Sequence, residues 1–160
     1  MSNLIYKIHH AVDMVKDRLV QEQGEIGLQF VGAYNEKRIP KYPAAVIIPG
    51  PLSKEIHSTH TFEIAIALDI YIYHANLTLT KRERSREELL LVDKTEEVLE
   101  SDYTWLSDPN DVSTARVIFG YVSEVRPLTI QPQANKSDMV IGTRLSWRGL
   151  SQRRFRPDES

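Results

Sequence analysis

The most regular hydrophobic pattern in the chain lies in residues 60–74, where apolar side chains recur at every second position. These apolar residues are Phe62, Ile64, Ile66, Leu68, Ile70 and Ile72. Because a β-strand directs alternate side chains to opposite faces, the spacing predicts one strand with a continuous apolar face. At roughly 3.3 Å per residue it would span about 40–50 Å, far beyond the usual five or six residues. Such a strand must bend, or extend past its own domain to pair with a partner.

The alternate positions of this stretch are small, aromatic or acidic. They are Glu63, Ala65, Ala67, Asp69, Tyr71 and Tyr73. The two alanines predict a seat on which a helix can pack closely. Glu63 and Asp69 would lie roughly 20 Å apart along the strand, too far for both carboxylates to act on one bond. We therefore expect them to be surface acids or contacts with another subunit.

Two helices are predicted by apolar residues spaced three and four positions apart. The first covers residues 3–21, with an apolar stripe of Ile5, Ile8, Val12, Val15 and Leu19. The second begins at Ser85, where Ser85 and Glu88 match a capping box, and continues to Ser101. We expect this second helix to pack on the sheet over Ala65 and Ala67.

The remaining apolar stretches predict strands at residues 26–34, 44–48, 115–126 and 138–148. Pro49, Gly50 and Pro51 should end the second of these strands, because proline removes a donor from the ladder. The order of elements predicts an α+β fold: a mostly antiparallel β-sheet with an N-terminal helix and a mid-chain helix packed on one face. Residues 1–150 are expected to form a single domain, followed by a flexible basic tail at residues 151–160.

The charge is unevenly distributed, although the formal net charge of the chain is only −2. Arginines crowd the end of the sequence, at positions Arg144, Arg148, Arg153, Arg154 and Arg156. Acidic residues concentrate in the middle, at Glu96, Glu97, Glu100, Asp102, Asp108 and Asp111. This asymmetry indicates either solvated surface or complementary contacts between copies or partners.

No set of side chains with the spacing of a catalytic, metal or cofactor site is evident. The chain has no cysteine, which excludes thiolate chemistry and disulfides. His57, His60 and His74 have no acidic residue at ligand spacing, so we expect surface histidines. No apolar run is long enough for a transmembrane helix and no signal-peptide pattern is present, so a soluble cytoplasmic protein is expected. We expect neither an enzyme nor a cofactor or metal.

Several stretches, taken together and in order, carry a family resemblance. They are the helix Ile5–Leu19, the segment Tyr42–Pro49, the strand Phe62–Tyr73, the helix Ser85–Ser101, the strand Val117–Val125 and the strand Met139–Trp147. In this order the chain resembles the tail terminator (tail completion) proteins of long-tailed bacteriophages, over most of residues 3–148. The family shares a pattern of elements and has no invariant catalytic signature. The arginine-rich end is a departure, because the general pattern does not require it.

The resemblance implies a structural role in the virion. Such proteins form a hexameric ring that caps the tail tube, stops its polymerisation and presents the surface that joins the head. The partners would be further copies of the chain, the tail tube protein and a head-completion or neck protein, without any membrane. Double-stranded DNA would pass through the lumen without sequence-specific binding. The expected location is the head-proximal end of the virion tail, with assembly in the host cytoplasm.

Candidate contact residues follow from placing this role on the sequence. The long strands, the loop 126–137 and the arginine-rich end would meet neighbouring subunits or the tube. The candidates are Ile70, Ile72, Tyr73, Arg126, Arg144, Arg148, Arg153, Arg154 and Arg156.

Two alternatives remain open at this point. The chain could be another phage neck, connector or tail tube subunit, which a similar sequence pattern would also fit. It could also be a small hydrolase, although no serine sits in a nucleophile-elbow context and the histidines lack partners at useful spacing. Loss of a terminator should give overlong or headless tails, whereas loss of a tube subunit should give no tails at all.

Overall fold

A computed structural model describes residues 3–34, 39–56, 61–74, 81–100, 117–128 and 141–154 of the chain. The helices are α1 (Asn3–Gln21), α2 (Gln23–Ile26) and α3 (Lys81–Glu100). The strands are β1 (Phe30–Ala33), β2 (Ala44–Ile56), β3 (Thr61–His74), β4 (Val117–Leu128) and β5 (Ile141–Arg154). The long strand expected at residues 60–74 is confirmed as β3.

The strands form a single five-stranded sheet in the order β1-β2-β3-β5-β4. β1 pairs with β2 in parallel, and every other neighbouring pair is antiparallel. β3 therefore lies in the centre, paired along its whole length with β5 on one side and with β2 on the other. The expectation of an α+β fold with a mostly antiparallel sheet is confirmed.

The core lies between one face of the sheet and the helices. The alternating apolar residues of β3 lie within it, since Ile66, Leu68, Ile70 and Ile72 are at most 1% exposed. Helix residues that share this cluster include Val12, Val15 and Leu19 of α1 and Val92 and Leu99 of α3. The prediction that α3 packs over Ala65 and Ala67 is wrong. Burial of branched apolar side chains releases more free energy than burial of alanines, so the isoleucine face holds the helices.

β2 does not end at its two prolines, contrary to the sequence prediction. It continues to Ile56, and its register against β3 shifts between Pro49 and Leu52. β1 pairs only with Ala44–Ile47, so the following part of β2 is an edge strand among the described residues, and edge strands are where a sheet tolerates proline. At the shift, a side chain on Gly50 would lie 3.0 Å from the carbonyl oxygen of Ala67, so glycine permits this close approach.

Several element boundaries also differ from the predictions. α3 begins at Lys81, so Ser85 lies inside the helix and not at its start. Residues 26–29 are not strand, because α2 ends there at Gly27, whose φ of 94° forms a left-handed cap.

β5 continues beyond residue 148 to Arg154, because residues 151–154 pair with β3. These four residues of the predicted tail are therefore strand. Residues 126–128 of the predicted loop 126–137 are also strand, at the end of β4. Residues 129–137 of that loop and residues 155–160 of the tail lie outside the described residues.

Candidate functional site

The face of the sheet opposite the helices carries polar and aromatic side chains in rows across three strands. Cross-strand register places Tyr71 of β3, Arg144 of β5 and Arg126 of β4 in one row. The next row holds Asp69, Ser146 and Glu124, and a third holds Ala67, Arg148 and Tyr121. We call this surface the outer face. Strand alternation produces it, because the partners of these residues in sequence point into the core.

Two arginines lie directly opposite each other on the outer face. Arg126 and Arg144 are cross-strand partners, an arrangement in which like charges repel. Arg144 Nη2 lies 3.9 Å from Glu124 Oε1, at the outer limit of an ion pair. Its Nε is buried without a hydrogen-bond partner. Arg126 and the exposed Arg148 have no ion pair within the described part of the chain, so their positive charges are not neutralised by any described residue.

The other predicted residue on the outer face is Tyr73. Its ring stacks on Tyr71 with a centroid separation of 6.2 Å and an interplanar angle of 10°. Burial raises the pKa of the half-buried Tyr73 hydroxyl, and the nearby Tyr71 and Tyr42 hydroxyls add to this effect. The pair offers a flat, amphipathic surface of the kind enriched in protein interfaces.

The predicted contact residues thus separate into three groups. Tyr73, Arg126, Arg144 and Arg148 share the outer face. Ile70 and Ile72 do not belong with them: both are fully buried in the core, where no neighbouring subunit can touch them. Their inclusion as contact residues is corrected, since their burial satisfies the chain's own helices. Arg153 and Arg154 occupy β5 positions opposite Phe62 and Thr61, and Arg156 lies outside the described residues.

Among the described residues, both edges of the sheet have backbone groups that no further strand pairs with. β4 forms one edge along its length, with Tyr121 and Val125 about 40% exposed. Glu100 Oε1 accepts a hydrogen bond of 2.6 Å from the Val122 N–H, so α3 covers part of this edge. β2 forms the other edge beyond Ile47, where β1 no longer pairs with it. Unpaired edges of this length are usually covered by another element or another chain.

A second polar group lies inside the molecule, where α3 crosses the ends of β3 and β5. His74, Glu88 and Thr143 are each at most 4% exposed. His74 Nε2 lies 2.9 Å from Glu87 Oε2. The prediction of a surface histidine at position 74 is therefore wrong. His57 and His60 lie outside the described residues.

Glu88 is the most perturbed acid of this buried group. Burial raises the pKa of its carboxyl to about 7, and the neighbouring Thr143 hydroxyl opposes this only in part. No described residue makes a hydrogen bond of good geometry to either carboxyl oxygen, which is why the Thr143 hydroxyl offsets so little of the effect of burial. A signal for this burial was present in the sequence, because Glu88 falls on the same helical stripe as Leu91, Val92 and Thr95. The capping-box interpretation placed it at a helix start instead.

A cavity of about 200 Å³ adjoins this group, lined by His74, Glu87 and Lys94 together with apolar residues of α2 and α3. A carboxyl with a pKa near 7 is chemically able to take up and release protons near neutral pH. Within the described ranges, however, no three His, Cys, Asp or Glu side chains are grouped so as to hold a metal ion. In the same ranges, no helix is long and apolar enough to cross a membrane.

Comparison of the chain with protein-family models and with curated proteins gives no match.

Proposed function

We propose that this chain is the tail terminator of a long-tailed bacteriophage, a structural protein that forms a hexameric ring on the tail tube. The observation that carries the proposal is a sheet with its core on one face and cationic and aromatic side chains on the other. Among the described residues, no strand pairs with the outer side of β4 or with β2 beyond Ile47, which leaves edges for neighbours. The order of helices and strands adds support, since it follows the family that the sequence resembles.

In this role the ring stops polymerisation of the tube and presents the surface for head joining. The partners are further copies of the chain, the tail tube protein and a head-completion or neck protein. Double-stranded DNA crosses the lumen without sequence-specific contacts. The chain has no catalytic role in this proposal, and it acts at the head-proximal end of the virion tail after assembly in the host cytoplasm.

The direct test is the mass of the purified protein, alone and mixed with tail tube protein, followed by negative-stain imaging. Six copies of the 18.4 kDa chain give a ring of about 110 kDa. A protein that stays monomeric under both conditions, with no rings in the images, would overturn the proposal. In infected cells, removal of the chain should produce overlong or headless tails. Absence of tails would instead indicate a tube subunit.

A further inference from the structure

The C-terminal half of α3 carries an excess of negative charge. Asp93, Glu96, Glu97 and Glu100 lie within it, against the single base Lys94. We call these four acids the acidic end of α3. The pKa of Glu96 is raised by burial first, and then by the nearby charges of Glu100 and Asp93. The acids therefore repel one another.

The helix itself increases this repulsion. The last turn of α3 contains no basic residue, although the C-terminus of a helix carries about half a negative charge and favours cations. Asp93 and Glu97 are exposed and have no ion pair among the described residues. Leu89, four positions before Asp93, is 56% exposed and adds apolar area to the same surface. The combination favours a cationic partner that is also able to cover an apolar side chain.

The arginines of the outer face, in turn, lack enough acidic partners on their own surface. Arg126 and Arg144 face each other in register, Arg144 Nε has no partner, and Arg148 is exposed beside them. Glu124 and Asp69 are the acids on these rows, and Asp69 already accepts a hydrogen bond of 3.4 Å from the Ser146 hydroxyl. An arginine side chain supplies both charge and apolar surface, which suits an acidic helix with an exposed leucine.

A single copy cannot bring the two surfaces together. α3 packs on the core face of the sheet, where Val92 and Leu99 join the core, whereas the arginines project from the outer face. The sheet itself separates them. Two different surfaces that match each other but lie on opposite sides of one molecule form a head-to-tail contact, and such a contact produces a ring when its rotation closes.

We propose that the outer-face arginines Arg126, Arg144 and Arg148 of one copy bind the acidic end of α3 in the next copy. The proposal rests on the ring proposed above and identifies the surfaces that build it. Opposite charges on the two surfaces set the direction of assembly, because like surfaces of two copies repel. The contact also weakens as salt is added, because it is made largely by exposed charges.

The test reverses the charge of each surface in a separate variant. One variant carries Arg126→Glu with Arg148→Glu, and the other carries Asp93→Lys with Glu97→Lys; all four residues are exposed. Each variant alone then presents two like-charged surfaces, so we expect it to lose the ring. An equimolar mixture restores attraction at every contact, so we expect rings of the wild-type mass in which the variants alternate. Asp17→Lys, at an exposed position of α1 that belongs to neither surface, is the control and should assemble normally.

Analytical ultracentrifugation and native mass spectrometry distinguish the outcomes. Rings from either variant alone would overturn this inference and leave the proposed function in place. A wild-type protein that never assembles would overturn the proposed function itself. An arginine variant that forms complete rings but loses affinity for double-stranded DNA would assign those arginines to nucleic acid instead. Recovery of rings in the mixture shows at once that both variants are folded; if it fails while circular dichroism shows two folded chains, the inference is wrong.

Discussion

The buried carboxyl of Glu88 should make the stability of this protein depend on pH. Its pKa rises from 4.5 to about 7 on folding, chiefly because burial disfavours the charged form. Between these values the folded chain therefore holds a proton that the unfolded chain releases. Linkage then requires the free energy of unfolding to fall as pH rises from about 4.5 to about 7, and to level off above. Each unit of pKa corresponds to about 1.4 kcal/mol, so the full change is at most about 3.5 kcal/mol.

Glu88→Gln removes this titration and keeps the size of the side chain. At pH 4 we expect the variant and the wild type to differ little, because both side chains are then neutral. At pH 8 we expect the variant to be more stable by up to about 3.5 kcal/mol, because only the wild type must bury a charge or take up a proton. Urea denaturation at several pH values between 4 and 8, at one protein concentration, measures the difference. Taking the difference between the two proteins cancels other groups that titrate in this range.

The matched control is Glu25→Gln, at an exposed position of α2 that belongs to neither proposed assembly surface. Its stability relative to the wild type should be nearly constant over the same pH range. A Glu88→Gln difference that does not change with pH would refute the reasoning. So would a wild type that is the more stable protein at pH 8, since that would mean the carboxylate is well accommodated in the fold.

Two further substitutions test the packing of the sheet. Gly120→Ala should lower the free energy of unfolding by about 1–3 kcal/mol in denaturant unfolding, because the added Cβ would overlap Trp147 Cζ2 and lie 2.7 Å from its Cε2. The control is Gly24→Ala, which has no neighbour within 4 Å of the added Cβ and should be nearly neutral or stabilising. Equal costs for the two substitutions would contradict this account. Ile70→Lys should unfold the chain, at a cost of more than about 4 kcal/mol, because it buries an unpaired charge in the core. The control Ile70→Val should lower the free energy of unfolding by only about 0.5–1.5 kcal/mol. An Ile70→Lys variant that folds and fails only to assemble would indicate that Ile70 is an interface residue.

The central strand could be predicted because its pattern is decided locally. Branched apolar residues at every second position of β3 favour a strand and define which face is buried, whatever lies beside it. The passage of β2 through Pro49 and Pro51 could not be predicted in the same way. Whether proline interrupts a sheet depends on how far the neighbouring strand extends, and β1 ends its pairing at Ile47. That length is a property of the whole fold.

The candidate surface was predictable only in part, for a related reason. The sequence shows that the arginines and the acids lie in different parts of the chain. It does not show the register between β4 and β5, which places Arg126 and Arg144 opposite each other. Alternation along β5 also decides that these arginines share a face with Tyr73 and not with Ile72. The burial of Glu88 depends on the starting residue of α3, and a strong local capping signal at Ser85 obscured it.

The position of β5 beside β3 has a consequence for how the chain folds. β2 and β3 are neighbours in sequence and are able to form a hairpin early. β5 is able to pair with β3 only after α3 and β4 have been synthesised, because both precede it in the chain. The central pairs, such as His74 with Ile141 and Thr61 with Arg154, join distant parts of the chain, so the loop-closure entropy is large and folding is slow. Until β5 arrives, the apolar β3 has an open edge that another chain can occupy. During synthesis this edge of β3 is therefore open to premature association with other chains until β5 pairs with it.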